Sequence, residues 1–552
     1  MINKRRLLIA NDASSLGTGY GVYGRELLTR LYNTGKYEIA ELSCYLSSEG
    51  AEELKKQVPW TIYPNAPSVT DSDEIKQAYH KTQINAFGSW RFDYVCAHFR
   101  PDIVFDMRDY WMYAYQETCV FRKHYKWVVM PTVDSAPQKG EWISTFQNMD
   151  LVIPYTDWAR RTLKAQCKNS INMFPSIVNA GVDLDVFKPP ENKKQLQAEL
   201  FGREVEVTGC VMRNQKRKLI PDILKSYRAY LDKLLEEGKT EKFEKSILYI
   251  HTTFPEASGW NLPALLLEHN MIDKTYFTNI CPHCHSVRIT KFHEQPVTCK
   301  TCNKIGTMLP NAGRTIPTKN LVTIYQAFDL FLQVAICEGF GMPQAEAAAC
   351  GIPIAATDYS AMSEIVANLE GYPIRVAALF RELETEANRA NPDGQAITQI
   401  IYNYFALPEE ERQEKSKRTR ALCGQHYSWD ACAEVWDRAL SSVDISSNVP
   451  WDSPRSPYDS SVPIPTDLSP QELINFITKE IIKEPWLAET AGIKSMVKDC
   501  SNGYVIDRNH GARGVGMESI IKTLEKLLNH KANMEELRVN HQELDKMVSY
   551  YA

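Results

Sequence analysis

This sequence predicts an α/β fold of two doubly wound, parallel-sheet domains with a cleft between them. Three observations carry the prediction. Short apolar runs alternate with helical patterns through the first part of the chain. The same alternation restarts after a turn-rich connector near 178–190. A cysteine-bearing segment then interrupts the second run of alternation. Strands buried on both faces read as continuous apolar runs, and a helix between successive strands is what parallel pairing requires.

In the first domain, assigned to 1–190, the buried strands are Leu7–Ala10, Tyr37–Ser43, Ile103–Asp106, Trp127–Thr132 and Leu151–Pro154, with a helix around Leu27–Leu31. Basic residues precede Leu7–Ala10, yet that run is far shorter than the roughly 7–15 residues of a secretory apolar segment, so it reads as a strand. In the second domain, 191–445, the strands are Val205–Met212, Ser246–His251, Tyr276–Asn279, Leu330–Val334 and Ile352–Ala356, with a charged helix near Asp222–Glu237. Residues 280–315 form an insertion. A polar, proline-rich linker covers 446–466, and a mainly helical tail is expected over 467–552, starting at Ser469-Pro470.

The size of 552 residues suggests three or four folded units. A hydrophobic fraction of 44% and a charged fraction of 24% are ordinary for a globular chain. No stretch approaches the roughly 18 apolar residues of a membrane span. A net charge of −5 argues against a surface that coats nucleic acid, while leaving room for a local basic patch. Ten of the 14 cysteines are scattered singly, and with no export signal the chain is expected in a reducing cytoplasm, the host's if it is viral.

The remaining four cysteines are Cys281, Cys284, Cys299 and Cys302, two Cys-x2-Cys knuckles. Each knuckle can present two thiolates to one ion, and four complete a tetrahedral zinc site with no open position, so a structural zinc ribbon is expected. Lys291, Lys300, Lys304 and Arg314 give the ribbon a basic surface.

The most informative segment is Cys337-Glu338-Gly339-Phe340-Gly341-Met342-Pro343-Gln344-Ala345-Glu346 followed by Ala347–Pro353. It reads as a strand end, a glycine loop and a helix start, with two carboxylates placed to flank the loop. Glycines let backbone N–H groups approach a ligand, and a helix N-terminus favours a phosphate or sugar oxygen.

This segment resembles the Glu-x7-Glu signature of family-4-type retaining glycosyltransferases of GT-B fold. The resemblance implies a nucleotide-sugar donor, Glu338 at the donor sugar, Glu346 at the ribose, and loop amides of Phe340, Gly341, Met342 and Pro343 on sugar and phosphate. The connector Asn179-Ala180-Gly181-Val182-Asp183 … Phe187-Lys188-Pro189 is similar to that family's Asn-Gly-Val-Asp … Phe-x-Pro, with Ala180 extra. Arg213 and Lys218 match its basic pair at the donor diphosphate. Lys216 and Arg217 lie between them, so the choice of lysine stays open. Tyr427-Ser428-Trp429 … Trp436 resembles the helix that crosses back to the first domain.

The first glycine loop offers Gly19, Tyr20 and Gly21, which by resemblance close over the donor phosphates. Gly19-x-Gly21-x-x-Gly24 with Glu41 also satisfies a dinucleotide fingerprint, which makes an NAD(P)-dependent oxidoreductase the rival reading. Where the family carries a histidine near the reacting sugar, this chain has Asp134, a candidate proton acceptor. Asp106, Arg108 and Asp109 are alternative cleft residues.

No catalytic metal is expected, since cations and amides stabilise the leaving phosphates. The ribbon and long tail look like those of large bacteriophage-type glycosyltransferases, which implies a hydroxymethylated pyrimidine in DNA as one acceptor. A glycan or small molecule, and a non-catalytic GT-B binding protein, are the other readings.

Overall fold

The computed structural model describes residues 4–451 except 120, 312 and 313, together with short pieces beyond residue 471. Two parallel sheets dominate. The first contains β1 (Arg5–Asp12), β2 (Tyr37–Cys44), β3 (Thr61–Pro64), β4 (Ile103–Asp106), β5 (Lys126–Val129) and β6 (Leu151–Val152), in the order β3-β2-β1-β4-β5-β6. Every pairing in it is parallel. Leu7, Leu8, Ile9 and Ala10 are fully buried, with side chains going to core clusters on opposite faces of the sheet. That two-sided burial is why β1 shows no alternation in the sequence.

The second sheet holds β7 (Glu206–Val211), β8 (Ser246–His251), β9 (Thr275–Ile280), β10 (Val287–Lys291), β13 (Leu330–Gln333), β14 (Ile354–Thr357) and β15 (Tyr372–Ile374), in the order β10-β9-β8-β7-β13-β14-β15. Between β10 and β13 lie β11 (Val297–Thr298) and β12 (Ile305–Thr307), which pair with each other. An antiparallel hairpin, β16 (Val376–Arg381) and β17 (Asn388–Pro392), follows β15.

The expected insertion therefore does more than decorate the sheet. Its first strand, β10, pairs antiparallel with β9 and becomes the sheet's edge. The sequence reading missed β3, β15 and the β16–β17 hairpin, all short or exposed and so without a buried apolar run.

The charged helix expected near Asp222–Glu237 runs from Ile220 to Glu236, with eight buried residues along one face. The helix Trp429–Ser442 packs on the first domain. Trp436 is fully buried there, its indole N–H donating to the Tyr23 hydroxyl at 2.9 Å. Gly181 in the connector has no room for a side chain, since a Cβ would lie 2.2 Å from the backbone nitrogen of Trp429.

The start of the expected linker docks as well, with Trp451 tilted against His124 at 4.7 Å and Val449 N–H bonded to Lys123 carbonyl. The rest of the linker and most of the expected helical tail lie outside the described residues. What is described of the tail includes an antiparallel pair, Tyr504–Asp507 with Gly511–Gly514. Among the described residues, no helix is long and apolar enough to cross a membrane.

Candidate active site

In an open α/β sheet the strand order reverses at one point, and ligands bind at the carboxyl ends of the strands flanking it. Here the reversals fall between β1 and β4 in the first sheet and between β7 and β13 in the second. Asp12 ends β1, and Asp109 follows β4. The basic turn Met212–Lys218 follows β7, and Glu338 follows β13. These two groups of residues face one another. A Cβ on Gly339 would lie 2.2 Å from Thr132 Cγ2, and one on Gly19 would lie 3.8 Å from Met342 Sδ. Phe340 stacks on Tyr155 at 5.2 Å. The loops Gly19–Gly21 and Glu338–Pro343 are thus opposite walls of one interdomain cleft.

On the second-domain wall, Glu338 is buried and gathers cations. Lys218 Nζ contacts one carboxylate oxygen, and Arg217 Nη1 lies 2.9 Å from the other. Gln333 donates to Glu338 at 2.8 Å, and the Glu338 N–H donates to Ser360 Oγ at 3.0 Å. Burial, and next to it the Arg217 charge, hold the Lys218 ammonium well below the usual lysine range. Lys216 is exposed, which settles the lysine at Glu338 as Lys218. Arg213 points elsewhere, making a bidentate pair with Glu256 at 3.0 Å beside the end of β8. The guanidinium at Glu338 is Arg217, not the expected Arg213. Only the turn's three-dimensional path distinguishes the two arginines.

Glu346, eight residues on, sits on the helix Met342–Ala349 and accepts from the Tyr325 hydroxyl at 2.7 Å. Burial raises its carboxyl above the ordinary value. Gly341 turns the chain into this helix at φ 99°, in the left-handed region that favours glycine, and Pro343 follows in the first turn.

On the first-domain wall, Thr18 caps the helix that starts at Gly19, accepting from Gly21 N–H at 3.1 Å and donating to Asp12 Oδ2 at 2.7 Å. Gly21 is required by packing, since a Cβ would sit 2.6 Å from Leu16 carbonyl oxygen. Tyr20 reaches across to Thr132, hydroxyl to hydroxyl at 3.2 Å.

The four acidic or basic candidates here behave differently. Asp106 and Arg108 are wholly buried and spent on each other at 2.6 Å. Asp134 is also engaged, with Oδ1 accepting from Arg389 at 3.0 Å and Oδ2 from the Cys337 thiol at 3.1 Å. Asp109 carries no ion pair among the described residues, and burial first, then the Asp134 charge, push its carboxyl up to about 7.

Arg389 belongs to a cross-domain strap that the sequence did not reveal. The Asn388 N–H donates to Ala136 carbonyl at 2.9 Å in the first domain, and the Ala390 N–H donates to Ile336 carbonyl at 3.0 Å in the second. Between them, the Arg389 guanidinium also holds Glu382 at 2.8 Å and the Cys337 sulfur at 2.8 Å. β17 therefore ties Asp134 to the residue that precedes Glu338.

The dinucleotide reading of the first loop fails on Glu41. That carboxylate is fully buried and accepts from Ser14 at 2.5 Å, Ser43 at 2.7 Å and Trp60 at 3.0 Å, which leaves nothing for a ribose. Gly24 serves packing, since a Cβ would lie 2.5 Å from Asn11 Nδ2.

The four cysteine sulfurs of the insertion lie within 4.8 Å of one another. Cys281–Cys302 and Cys284–Cys299 are each 3.7 Å apart. Tetrahedral zinc with bonds of about 2.3 Å places its sulfurs roughly 3.8 Å apart, so the set fits such an ion. His283 bonds Ile305 carbonyl and takes no part in the cluster. Leaving the insertion, the chain crosses the end of β8, where Phe254 N–H donates to Pro310 carbonyl at 3.1 Å. A groove of about 690 Å³ lies between the insertion and the helix Thr318–Gln326, lined in part by Arg288, His293, Lys300 and Asn320.

Residues 313–378, which contain Glu338 and Glu346, match the family profile of group 1 glycosyl transferases. The fold is GT-B. Solved structures similar to it include sucrose-phosphate synthase from Thermosynechococcus elongatus, with 14% identity over 80% of this chain and 98% of that one and a TM-score of 0.54. Anabaena HepE in complex with UDP shares 12% identity over 80% of this chain and 100% of its own, with a TM-score of 0.53. A trehalose-6-phosphate protein from E. coli, bound with UDP-2-fluoro glucose, shares 12% identity over 80% of this chain and 100% of its own, with a TM-score of 0.52. No curated protein sequence matches this chain. At such identities the structural likeness establishes the GT-B architecture, and the group 1 segment supplies the glycosyltransferase character of its second domain.

Proposed function

We propose that this GT-B glycosyltransferase moves a sugar from a nucleoside-diphosphate sugar to an acceptor hydroxyl with retention of anomeric configuration. The observation that carries this reading is the Glu338 cluster. A buried carboxylate with Lys218 and Arg217 on its two oxygens sits at a sheet's switch point, one glycine loop away from Glu346. In this reading Glu346 takes the ribose hydroxyls, and Glu338 takes a hydroxyl of the donor sugar. The amides of Phe340–Pro343, with Gly19–Gly21 opposite, surround the sugar and phosphates. Lys218 and Arg217 are held ready for the charge that develops on the leaving diphosphate. Arg213 can leave Glu256 for the same diphosphate, since it is more than half exposed. No catalytic metal is needed for these roles.

Asp109 is the better-placed proton acceptor for the attacking hydroxyl. Asp134 acts through its strap to Arg389 to hold that side of the cleft. The four cysteines would hold one structural zinc, whose chemistry is to fix the insertion's fold beside the end of β8. UDP is the nucleotide to test first, because two GT-B structures similar to this one hold UDP or a UDP-sugar analogue. The acceptor stays within three classes: a hydroxymethylated pyrimidine in DNA, as in bacteriophage-type enzymes, a glycan, or a small molecule.

The test is donor turnover. The full chain with a panel of UDP-sugars should release UDP and a sugar of unchanged anomeric configuration, read by NMR at early times. An inverted first product would overturn retention. The absence of both binding and release across nucleotide sugars would leave a non-catalytic GT-B binding protein.

A further inference from the structure

The first-domain wall holds features that the donor chemistry does not use. Asp12 is only 5% exposed, and while its Oδ2 accepts from Thr18, its Oδ1 has no protein partner. A desolvated, unpaired carboxylate oxygen is costly unless a ligand supplies a hydrogen. Asp109 lies close enough for the two charges to repel, on the adjacent strand end.

Two aromatic rings are exposed at the same edge of the sheet. Trp111, two residues after Asp109, is 48% exposed and tilts against Trp142 at 6.2 Å. Tyr45, immediately after β2, is 45% exposed and is held at φ 66°. A bulky residue in the left-handed region is strained, and such strain concentrates at functional positions. The neighbouring cations are already committed, Arg108 to Asp106, Arg389 to Asp134 and Arg217, whose charge also reaches Asp109, to Glu338.

Building on the transferase reading above, we propose that the carboxyl ends of β1, β2 and β4 form an acceptor pocket for an uncharged, polyhydroxylated ring. Asp12 and Asp109 receive its hydroxyl hydrogens, and Tyr45 and Trp111 flank its apolar face. Once pH rises past about 7 and Asp109 is ionised, the pocket's free polar groups are carboxylate oxygens, which welcome hydroxyl donors. The same carboxylates repel a phosphate or carboxylate placed within a few ångströms. The pocket therefore sets specificity by exclusion: acceptors with an anionic group near the reacting hydroxyl are turned away. The step itself balances without a further reactant. The acceptor O–H proton passes to a carboxylate or to the leaving diphosphate as the new C–O bond forms and the old one breaks.

The experiment, run at pH 8 so that Asp109 is ionised, uses the full chain saturated with UDP, matched acceptor pairs (glucose with glucose 6-phosphate, maltose with maltose 1-phosphate), and a duplex oligonucleotide containing hydroxymethylcytosine. Binding is read by saturation-transfer NMR and titration, and transfer from UDP-glucose by mass spectrometry. The neutral member of each pair should bind at least tenfold tighter than the anionic one. Asp12→Asn should narrow that ratio at least threefold, and the surface variant Trp111→Ala should weaken the neutral sugars about tenfold without altering UDP affinity. Equal or tighter binding of the phosphorylated member would overturn the proposal. So would a ratio unchanged in Asp12→Asn, or binding confined to the duplex. Because binding needs no turnover, an inactive chain would count against the transferase reading while the ratio still decided this one.

Discussion

The two walls of the cleft are built on the same plan and carry opposite charge logic. Each presents residues from the carboxyl ends of strands beside a reversal in strand order. On the second-domain wall, the buried carboxylate Glu338 is met by Lys218 and Arg217. On the first-domain wall, Arg108 is spent on Asp106 and Arg389 on Asp134 and Glu382, which leaves Asp12 and Asp109 without an ion pair among the described residues. The difference teaches that position in an α/β fold marks where a ligand binds, while local charge balance decides what kind. A wall with spare cations suits a diphosphate, and a wall with spare carboxylates suits hydroxyls.

The sharpest way to break this contrast is to remove the second wall's charge. Lys218→Ala leaves Glu338 buried with one cation, so turnover of the donor should fall about 100-fold or more. Breaking a buried pair should also cost about 3–5 kcal/mol of stability, which denaturant unfolding would show. Lys216→Ala, on the exposed face of the same turn, should be silent in both measurements. Equal effects of the two would place the phosphate contact elsewhere on the turn.

Next in size is Glu346→Ala. Charge-assisted hydrogen bonds to a ribose are worth about 1.5–3 kcal/mol, so donor affinity should drop roughly 10- to 100-fold in a calorimetric titration. The same change should leave acceptor binding untouched if the walls act independently.

The first wall can be probed by pH. Burial raises the Asp109 carboxyl to about 7, so its carboxylate form appears only as pH rises through that value. Acceptor transfer should climb between about pH 6 and 8 in the wild type and lose that step in Asp109→Asn. The stability linkage runs in the opposite sense. A carboxyl raised in the fold favours the folded state at low pH, and that contribution is lost as pH rises from the unfolded value near 4 to about 7. Wild type should therefore lose stability relative to Asp109→Asn over that interval, as measured by thermal melting.

The smallest effect expected is at the strap. Arg389→Lys retains the charge but not the fork that reaches Asp134, Glu382 and Cys337 together. A several-fold rise in KM for the acceptor, with donor affinity unchanged, would identify β17 as a cross-domain tie. A change in donor affinity alone would assign Arg389 to the Cys337–Glu338 side instead.

Much of this architecture was legible in the chain. Fully buried strands such as Leu7–Ala10 and Ile103–Asp106 announce themselves as apolar runs because both faces of a parallel sheet are covered. The pair Glu338 and Glu346 was legible because a strand end, two glycines and a helix start fix their relation locally. The cysteine knuckles were legible for the same reason. Each pair needs only a short turn, and the structure brings all four sulfurs within 4.8 Å.

What the sequence by itself determined, then, is whatever depends on neighbours in the chain: strand type, the glycine loop, the knuckles, and the helix that returns to the first domain. Tertiary structure alone decided which charges meet. Arg217 rather than Arg213 reaches Glu338, and Asp134 is tied to Arg389 across 255 positions of sequence. It also decided that Asp106 is spent on Arg108, while Asp109 meets the Tyr20 hydroxyl and has no ion pair among the described residues. The physical reason is that an ion pair or a shifted carboxyl depends on distance and burial, and both are set by how the two sheets face each other rather than by the order of residues along either one.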